Sequence, residues 1–261
     1  MDALHGARDS AIEWFATALG GYLLQCEQRY MDHAIADVFG FNALQLGLPE
    51  HDFLRASRIP LKCRVAPCGA VELRAEFRDL PIATNSIDLL VLPHALEFSA
   101  HPHQVLREVQ RVLMPEGHAV ISCFNPWSLW GLRRLTARSR GAYPWGGRFI
   151  KLTRLKDWLA LLELEISASR MGCYLPPCTQ ERWLQRLRFM EAAGDRWWPF
   201  AGGVYFLHVI KRVRGMRVIL PTWREQLERR RGLAVVPKAS ESDEPVAANT
   251  SLKAASWPKS R

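Results

Sequence analysis

The chain has 261 residues, 48% of them hydrophobic and 23% charged, with a formal net charge of +9. This balance excludes a wholly disordered chain, and the length can bury a sizeable core without covalent staples. No run reaches about 18 apolar residues, so no transmembrane helix is expected. The first residues, Met1-Asp2-Ala3-Leu4-His5, lack the basic and apolar regions of a signal peptide, which points to a cytoplasmic protein. The charge is uneven. Residues 1–100 carry 8 basic and 13 acidic side chains, net −5, whereas residues 101–214 carry 18 and 8, net +10, and residues 215–261 carry 9 and 5, net +4. A polyanion, anionic lipid or an acidic substrate would each suit the basic second half.

In chain order, residues 9–38 read as an N-terminal helix, with Ile12, Phe15, Leu19, Leu23 and Cys26 at three- and four-residue steps and Gly20-Gly21 weakening its middle. Residues 42–48, 58–66 and 71–77 are strand candidates. Residues 87–92, Ile-Asp-Leu-Leu-Val-Leu, form the nearly continuous apolar run of a strand covered on both faces. A helix is expected over 102–113, with Pro102 in its first turn and Val105, Val109, Val112 and Leu113 as its stripe. Met114-Pro115-Glu116-Gly117 ends it, and 118–124 returns as a strand. Thr153 is the expected N-cap of a helix over 154–163, and 164–169 and 203–213 are further strands. This alternation predicts an α/β fold with a mainly parallel sheet. In the tail, 223–231 could form a short basic helix, and 236–261 reads as disordered.

The six cysteines are too sparse for a disulfide scaffold. Cys63/Cys68 and Cys173/Cys178 share a spacing, but unrelated reduced thiols are expected and no metal is.

Segment 76–126 is the most informative. It runs Glu76-Phe77-Arg78-Asp79-Leu80-Pro81, Asn85-Ser86-Ile87-Asp88-Leu89-Leu90-Val91, His94-Ala95-Leu96-Glu97, Glu108-Val109-Gln110-Arg111-Val112-Leu113 and Pro115-Glu116-Gly117. In order and spacing it resembles the central part of class I S-adenosylmethionine-dependent methyltransferases, especially the type 11 group. The resemblance implies a Rossmann-like, doubly wound sheet with the N-terminal helix attached and a methyltransferase-like domain over 1–214, while composition sets off a basic, largely disordered tail over 215–261. It implies S-adenosylmethionine as cofactor, bound at the carboxyl ends of the strands. The first strand end, 45–51, keeps Gly47 of the family's three glycines, with Gln45 in place of the acid and Pro49 and His51 in place of the others. Gln45, Leu46 and Gly47 are therefore the expected contacts there. The next strand lacks the family's ribose-binding acid, with Glu72 as a late substitute. Glu76 matches the acid beside the adenine amino group, Phe77 the apolar wall, and Leu92, Pro93 and His94 the strand end beside the cofactor. No catalytic residue is singled out, although His94, His101 and His103 lie near the expected rim.

Asn125-Pro126-Trp127 is expected to turn the chain into a substrate-covering segment, 127–156. That segment holds Arg133, Arg134, Arg138, Arg140, Arg148, Lys151, Arg154 and Lys156 without an acid, interleaved with Trp127, Trp130, Tyr143, Trp145 and Phe149 and with Gly141, Gly146 and Gly147. Single-stranded nucleic acid, an anionic membrane, or an anionic or aromatic small substrate under a lid would each suit it. So would a solvated basic face with its aromatics turned inward. The resemblance implies methyl transfer to a small-molecule acceptor. The degraded glycine motif favours the second reading, an inactive methyltransferase-fold module that binds nucleic acid, membrane or a protein through 127–156.

Overall fold

The computed structural model describes residues 2–136, 142–178, 180–187, 189–198 and 200–212. The expected tail, 215–261, with its helix over 223–231, and Arg138, Arg140 and Gly141 of the basic segment lie outside the described residues.

The expected N-terminal helix is two helices, α1 (Asp2–Phe15) and α2 (Ala18–Ile35). Thr17 breaks them apart: its backbone is extended and its hydroxyl accepts the Gly20 N–H at 3.1 Å, an N-cap. Gly20 is what lets α2 double back, because a Cβ there would lie 2.2 Å from the Trp14 carbonyl oxygen. Strand β1 (Asn42–Leu46) stops short of residue 48 because Gly47 (φ 93°) and Leu48 (φ 44°) turn left-handed. β2 (Leu61–Ala66) starts only after Pro60, and β3 (Leu73–Arg74) keeps two residues of the expected 71–77.

β4 (Ile87–Pro93) and α3 (Pro102–Val112) follow the sequence reading closely. β5 (Leu113–Phe124) is longer than expected. The Met114–Gly117 stretch does not end pairing but bends it, with a register shift opposite Ile87 and Leu89 and Glu116 at φ 61°. Then come α4 (Leu129–Thr136), α5 (Leu152–Leu161), β6 (Leu164–Gly172), α6 (Glu181–Arg186), α7 (Phe189–Trp197) and β7 (Val204–Lys211). Helix α5 begins before the expected cap: Lys151, extended, is the N-cap and Thr153 lies inside.

The seven strands form one sheet in the order β3-β2-β1-β4-β5-β7-β6, parallel except for β7, which is antiparallel to both neighbours. One face is buried by α3 and α5 through Val105, Leu106, Val109, Leu155 and Leu159. The other is buried by α1 and α2 through Phe15, Leu23, Met31 and Ile35. Between β1 and β4 the strand order reverses, which opens a crevice outside their carboxyl ends, where ligands of such sheets bind.

Motif residues in 76–126 turn out to fasten this frame. Asp88 accepts the N–H groups of Phe41 and Asn42, both at 2.9 Å, and so fixes the start of β1. Arg111 pairs with Glu108 at 2.8 Å and donates to the carbonyls of Leu80 and Ile82, while Glu108 accepts the Leu80 N–H. Asn125 bonds the carbonyls of Phe200 and Gly202 and accepts from Trp127 N–H, which makes the expected turn.

Segment 127–156 is not one irregular lid. It contains α4 and the first turn of α5. Trp130 is buried and donates to the Leu175 carbonyl, Tyr143 is buried, and Trp145 and Phe149 are half-buried. Trp127, 76% exposed, is the one ring of the five that faces water. Arg133, Arg148, Lys151, Arg154 and Lys156 are exposed and Arg134 is half-buried, while the aromatics lie mostly inside. No helix of the described residues is long and apolar enough to cross a membrane.

Candidate active site

A cavity of about 160 Å³ lies at the crevice. Gly47–Glu50 follow β1, Ala66–Cys68 end β2, and Pro93–Ala95 end β4. Phe77, Phe98 and Tyr143 add aromatic wall, and Arg8 and Ala11 of α1 cover it. Arg8 closes onto Glu50 at 2.5 Å, a contact that raises the guanidinium pKa. This volume is below the roughly 300 Å³ usual for ligand pockets.

Of the eight expected cofactor contacts, the structure brings Gly47, Phe77, Pro93 and His94 together on this wall. Leu46 and Leu92 are core residues without exposure. Glu76 is exposed and does not line the cavity. Gln45 is buried beneath it, and its side chain is spent on the loop. Its amide nitrogen donates to the carbonyls of Gly47, Leu48 and His51 at 3.0, 3.1 and 2.8 Å, and its oxygen accepts Phe53 N–H at 3.0 Å. Glu72, the substitute for the ribose acid, is committed to Arg64 at 2.6 Å. That hydrogen-bonded pairing pulls its pKa to about 2.

Beneath the β4 end lies a group the sequence reading did not assemble. His94 takes a left-handed backbone, φ 52°, and is 1% exposed. Its Nε2 meets Glu27 Oε1 at 2.5 Å and its Nδ1 meets Glu97 Oε2 at 2.6 Å. Glu97 Oε1 also accepts the Phe124 N–H at 2.8 Å, and Phe124 stacks on the imidazole. Burial works against a charged ring, but the Glu27 carboxylate and the bonds from both acids outweigh it and lift the His94 pKa to about 10. Burial pushes Glu97 upward against the pull of His94. No Lys or Arg among the described residues bonds to this group.

Three buried polar atoms here lack a partner among the described residues: Glu27 Oε2, Ser122 Oγ and Tyr143 Oη. Ser122 is the β5 neighbour of Pro93, and Tyr143 lines the cavity. Orphaned atoms of this kind mark places where a ligand or water completes the bonding. Glu27 had a signal in the sequence: it stands at the centre of the α2 core stripe Leu19, Leu23, Met31 and Ile35, where a carboxylate is out of place unless paired. Its partner, 67 residues away, had none. His101 and His103 lie apart from this cavity. No group of three or more His, Cys, Asp or Glu among the described residues is placed to hold a metal ion.

A family model described as a methyltransferase domain matches residues 55–121. An uncharacterized protein of Escherichia coli (strain K12), YafS, is 36% identical over 141 residues, which cover 53% of this chain and 59% of that protein. The chain thus spans under two thirds of the relative's length. An S-adenosylmethionine-dependent methyltransferase of Thermotoga maritima superposes with a TM-score of 0.55 at 14% identity, over 77% of this chain and 94% of that one. One from Mesorhizobium loti gives 0.50 at 15%, over 70% and 96%. A chain of the Haloferax volcanii complex between the Trm112 methyltransferase activator and a methyltransferase gives 0.53 at 16%, over 80% and 99%. At these identities the structures share the fold alone, while the sequence match falls on the β2-to-β5 frame beside the cavity. The chain thus carries a methyltransferase-domain match over residues 55–121 and has the Rossmann-like fold of class I S-adenosylmethionine-dependent methyltransferases.

Proposed function

We propose that the chain is an active methyltransferase that binds S-adenosylmethionine at the β1–β2–β4 cavity and methylates a small-molecule acceptor. The observation that carries this reading is the buried Glu27–His94–Glu97 group. It sets His94, which lines the cavity, between two buried carboxylates, one with an oxygen unpartnered among the described residues, beside the strand end where the family's cofactor sits. Carboxylates so placed would favour a ligand with a sulfonium and an ammonium. Phe77 offers a flat apolar wall, and Gly47 brings bare backbone to the rim. The cofactor, when bound, supplies an electrophilic methyl carbon.

The chain's own part is binding, alignment and exclusion of water. Opening and reclosure of Arg8 on Glu50 would admit ligands and then dry the site. His94 holds its proton between two carboxylates and is not a base at neutral pH. An acceptor with a free lone pair therefore suits this site better than one that must first lose a proton.

The second reading, a binding module without catalysis, is favoured by one observation. The β2 end supplies no ribose acid, because Glu72 is held by Arg64. Calorimetric titration with S-adenosylmethionine and S-adenosylhomocysteine decides between them. The active reading expects micromolar binding, weakened about tenfold or more by Glu27→Gln, with Phe77→Ala also weaker and Glu76→Ala little changed. No heat at millimolar cofactor with folded protein sinks it.

A further inference from the structure

A second cavity, about 670 Å³, opens between the N-termini of α3 and α5. Both helices begin at the carboxyl edge of the sheet, and residues 94–98 form the partition: His94, Ala95 and Phe98 face the first cavity and Leu96 the second. Arg107, Arg148, Lys151 and Arg154 line it, all exposed, together with His101 and His103, and no Asp or Glu does.

None of the four cations has a carboxylate partner among the described residues. Two are steadied without being neutralised: Lys151 Nζ lies 5.4 Å from the Trp127 ring centre and Arg154 5.0 Å from that of Trp158. Arg148 is held by its backbone, which donates to the Glu97 carbonyl at 2.8 Å. By contrast, Arg8, Arg55, Arg64 and Arg111 each pair with a carboxylate. Four unpaired like charges around one concavity repel each other until an anion arrives.

We propose that this cleft is a binding site for a phosphomonoester or diphosphate group of a small molecule. Three guanidinium forks and an ammonium match a multiply charged, tetrahedral anion better than a single carboxylate. The N–H groups of two helix starts, neither capped by a side chain, point the same way. Single-stranded nucleic acid fits less well. It needs a row of open rings for successive bases, and here Trp158 is covered by Arg154 and by His103, 3.8 Å between ring centres. The assignment stands on the cleft alone and survives if methyl transfer is disproved.

The test is calorimetry with inorganic pyrophosphate, without cofactor, at about 0.1 M salt. Saturable one-site binding is expected, weakened about tenfold or more in Arg107→Gln/Arg154→Gln and within about twofold of wild type in Arg58→Gln, an exposed arginine elsewhere. No saturable heat with millimolar pyrophosphate, or equal loss in the Arg58→Gln control, overturns the site. Co-sedimentation with phosphatidic acid and phosphatidylcholine vesicles separates the sources of phosphate. Retention on phosphatidic acid that pyrophosphate competes away identifies a lipid headgroup; equal, weak retention on both identifies a free ligand. Either result upholds a phosphate site. An oligodeoxythymidylate bound far more tightly than pyrophosphate, and lost in the double variant, overturns the small-molecule assignment in favour of nucleic acid.

Discussion

Restoring the family's acid at the end of β1, by Gln45→Glu, is expected to damage the protein rather than repair its cofactor site. The amide of Gln45 is fully buried and faces three carbonyl oxygens with its nitrogen and one N–H with its oxygen. Only an amide offers donors on one side and an acceptor on the other at this length. An ionised glutamate would keep the Phe53 bond and turn a bare oxygen toward the carbonyls of Gly47, Leu48 and His51. A protonated one would supply a single donor for three acceptors. Leaving one or two buried carbonyls unpaired costs about 1–3 kcal/mol each, so a total loss of about 1–6 kcal/mol is expected. For a chain of this size that lowers Tm by roughly 2–24 °C. Burial among carbonyls raises the carboxyl pKa of the variant above its unfolded value of about 4.3, so the penalty must grow as pH rises above that value and be smallest in acid. Urea unfolding at pH 5 and pH 8, with cofactor calorimetry alongside, reads both effects. A variant as stable as wild type that binds S-adenosylmethionine more tightly would refute the clamp and return Gln45 to the ligand.

Two further outcomes follow from buried charge. His94, with its pKa lifted to about 10 in the fold against about 6.5 unfolded, adds stability that is fully present below pH 6.5 and is lost as pH rises toward 10. The wild-type-minus-His94→Gln difference in urea midpoint should therefore shrink across that window, and a flat difference would refute the charged assignment. Lys211, 8% exposed, donates to Asn85 Oδ1 at 2.7 Å and to the Gln110 and Leu113 carbonyls at 2.6 and 2.8 Å, which closes the end of α3. Burial without a carboxylate partner lowers its pKa. Lys211→Met should cost about 2–4 kcal/mol in denaturant unfolding, whereas a change below about 0.5 kcal/mol would mean water replaces the ammonium.

The frame was legible because its signals are local. The apolar run of β4 and the period of α3 belong to contiguous residues, and both elements end where expected within a residue. The type 11 pattern was legible for a different reason. Asp88, Glu108 and Arg111 fasten loops to strands and helices, a task that any chain with this topology must perform. That is why they resemble the family even where the ligand-facing positions do not. Gln45 was legible as a departure from the family, but its meaning required the three carbonyls that fold back over it. Glu27 was passed over, because the stripe Leu19, Leu23, Met31 and Ile35 in which it stands was followed only as far as Cys26, and only the tertiary fold could give it His94. The same holds for Arg107 and Arg148, 41 positions apart, which meet in one cleft because α3 and α5 cover the same face of the sheet.

The conflict between an intact frame and a degraded glycine motif has a physical resolution in the distribution of polar groups. At the β1 and β2 ends every conspicuous polar side chain is satisfied within the protein: Gln45 by its own loop, Glu50 by Arg8, Glu72 by Arg64. Those ends ask nothing of a ligand and offer it little. At the β4 end the reverse holds, with two carboxylates and an imidazole fully buried together and three polar atoms unpaired among the described residues. A cofactor drawn to this site would be gripped at its cationic methyl-donating end rather than through its ribose. If so, S-adenosylhomocysteine, which lacks the sulfonium charge, should bind markedly more weakly than S-adenosylmethionine, and removal of the Glu27 charge should erase most of that difference. Equal affinities for the two ligands would place the grip elsewhere.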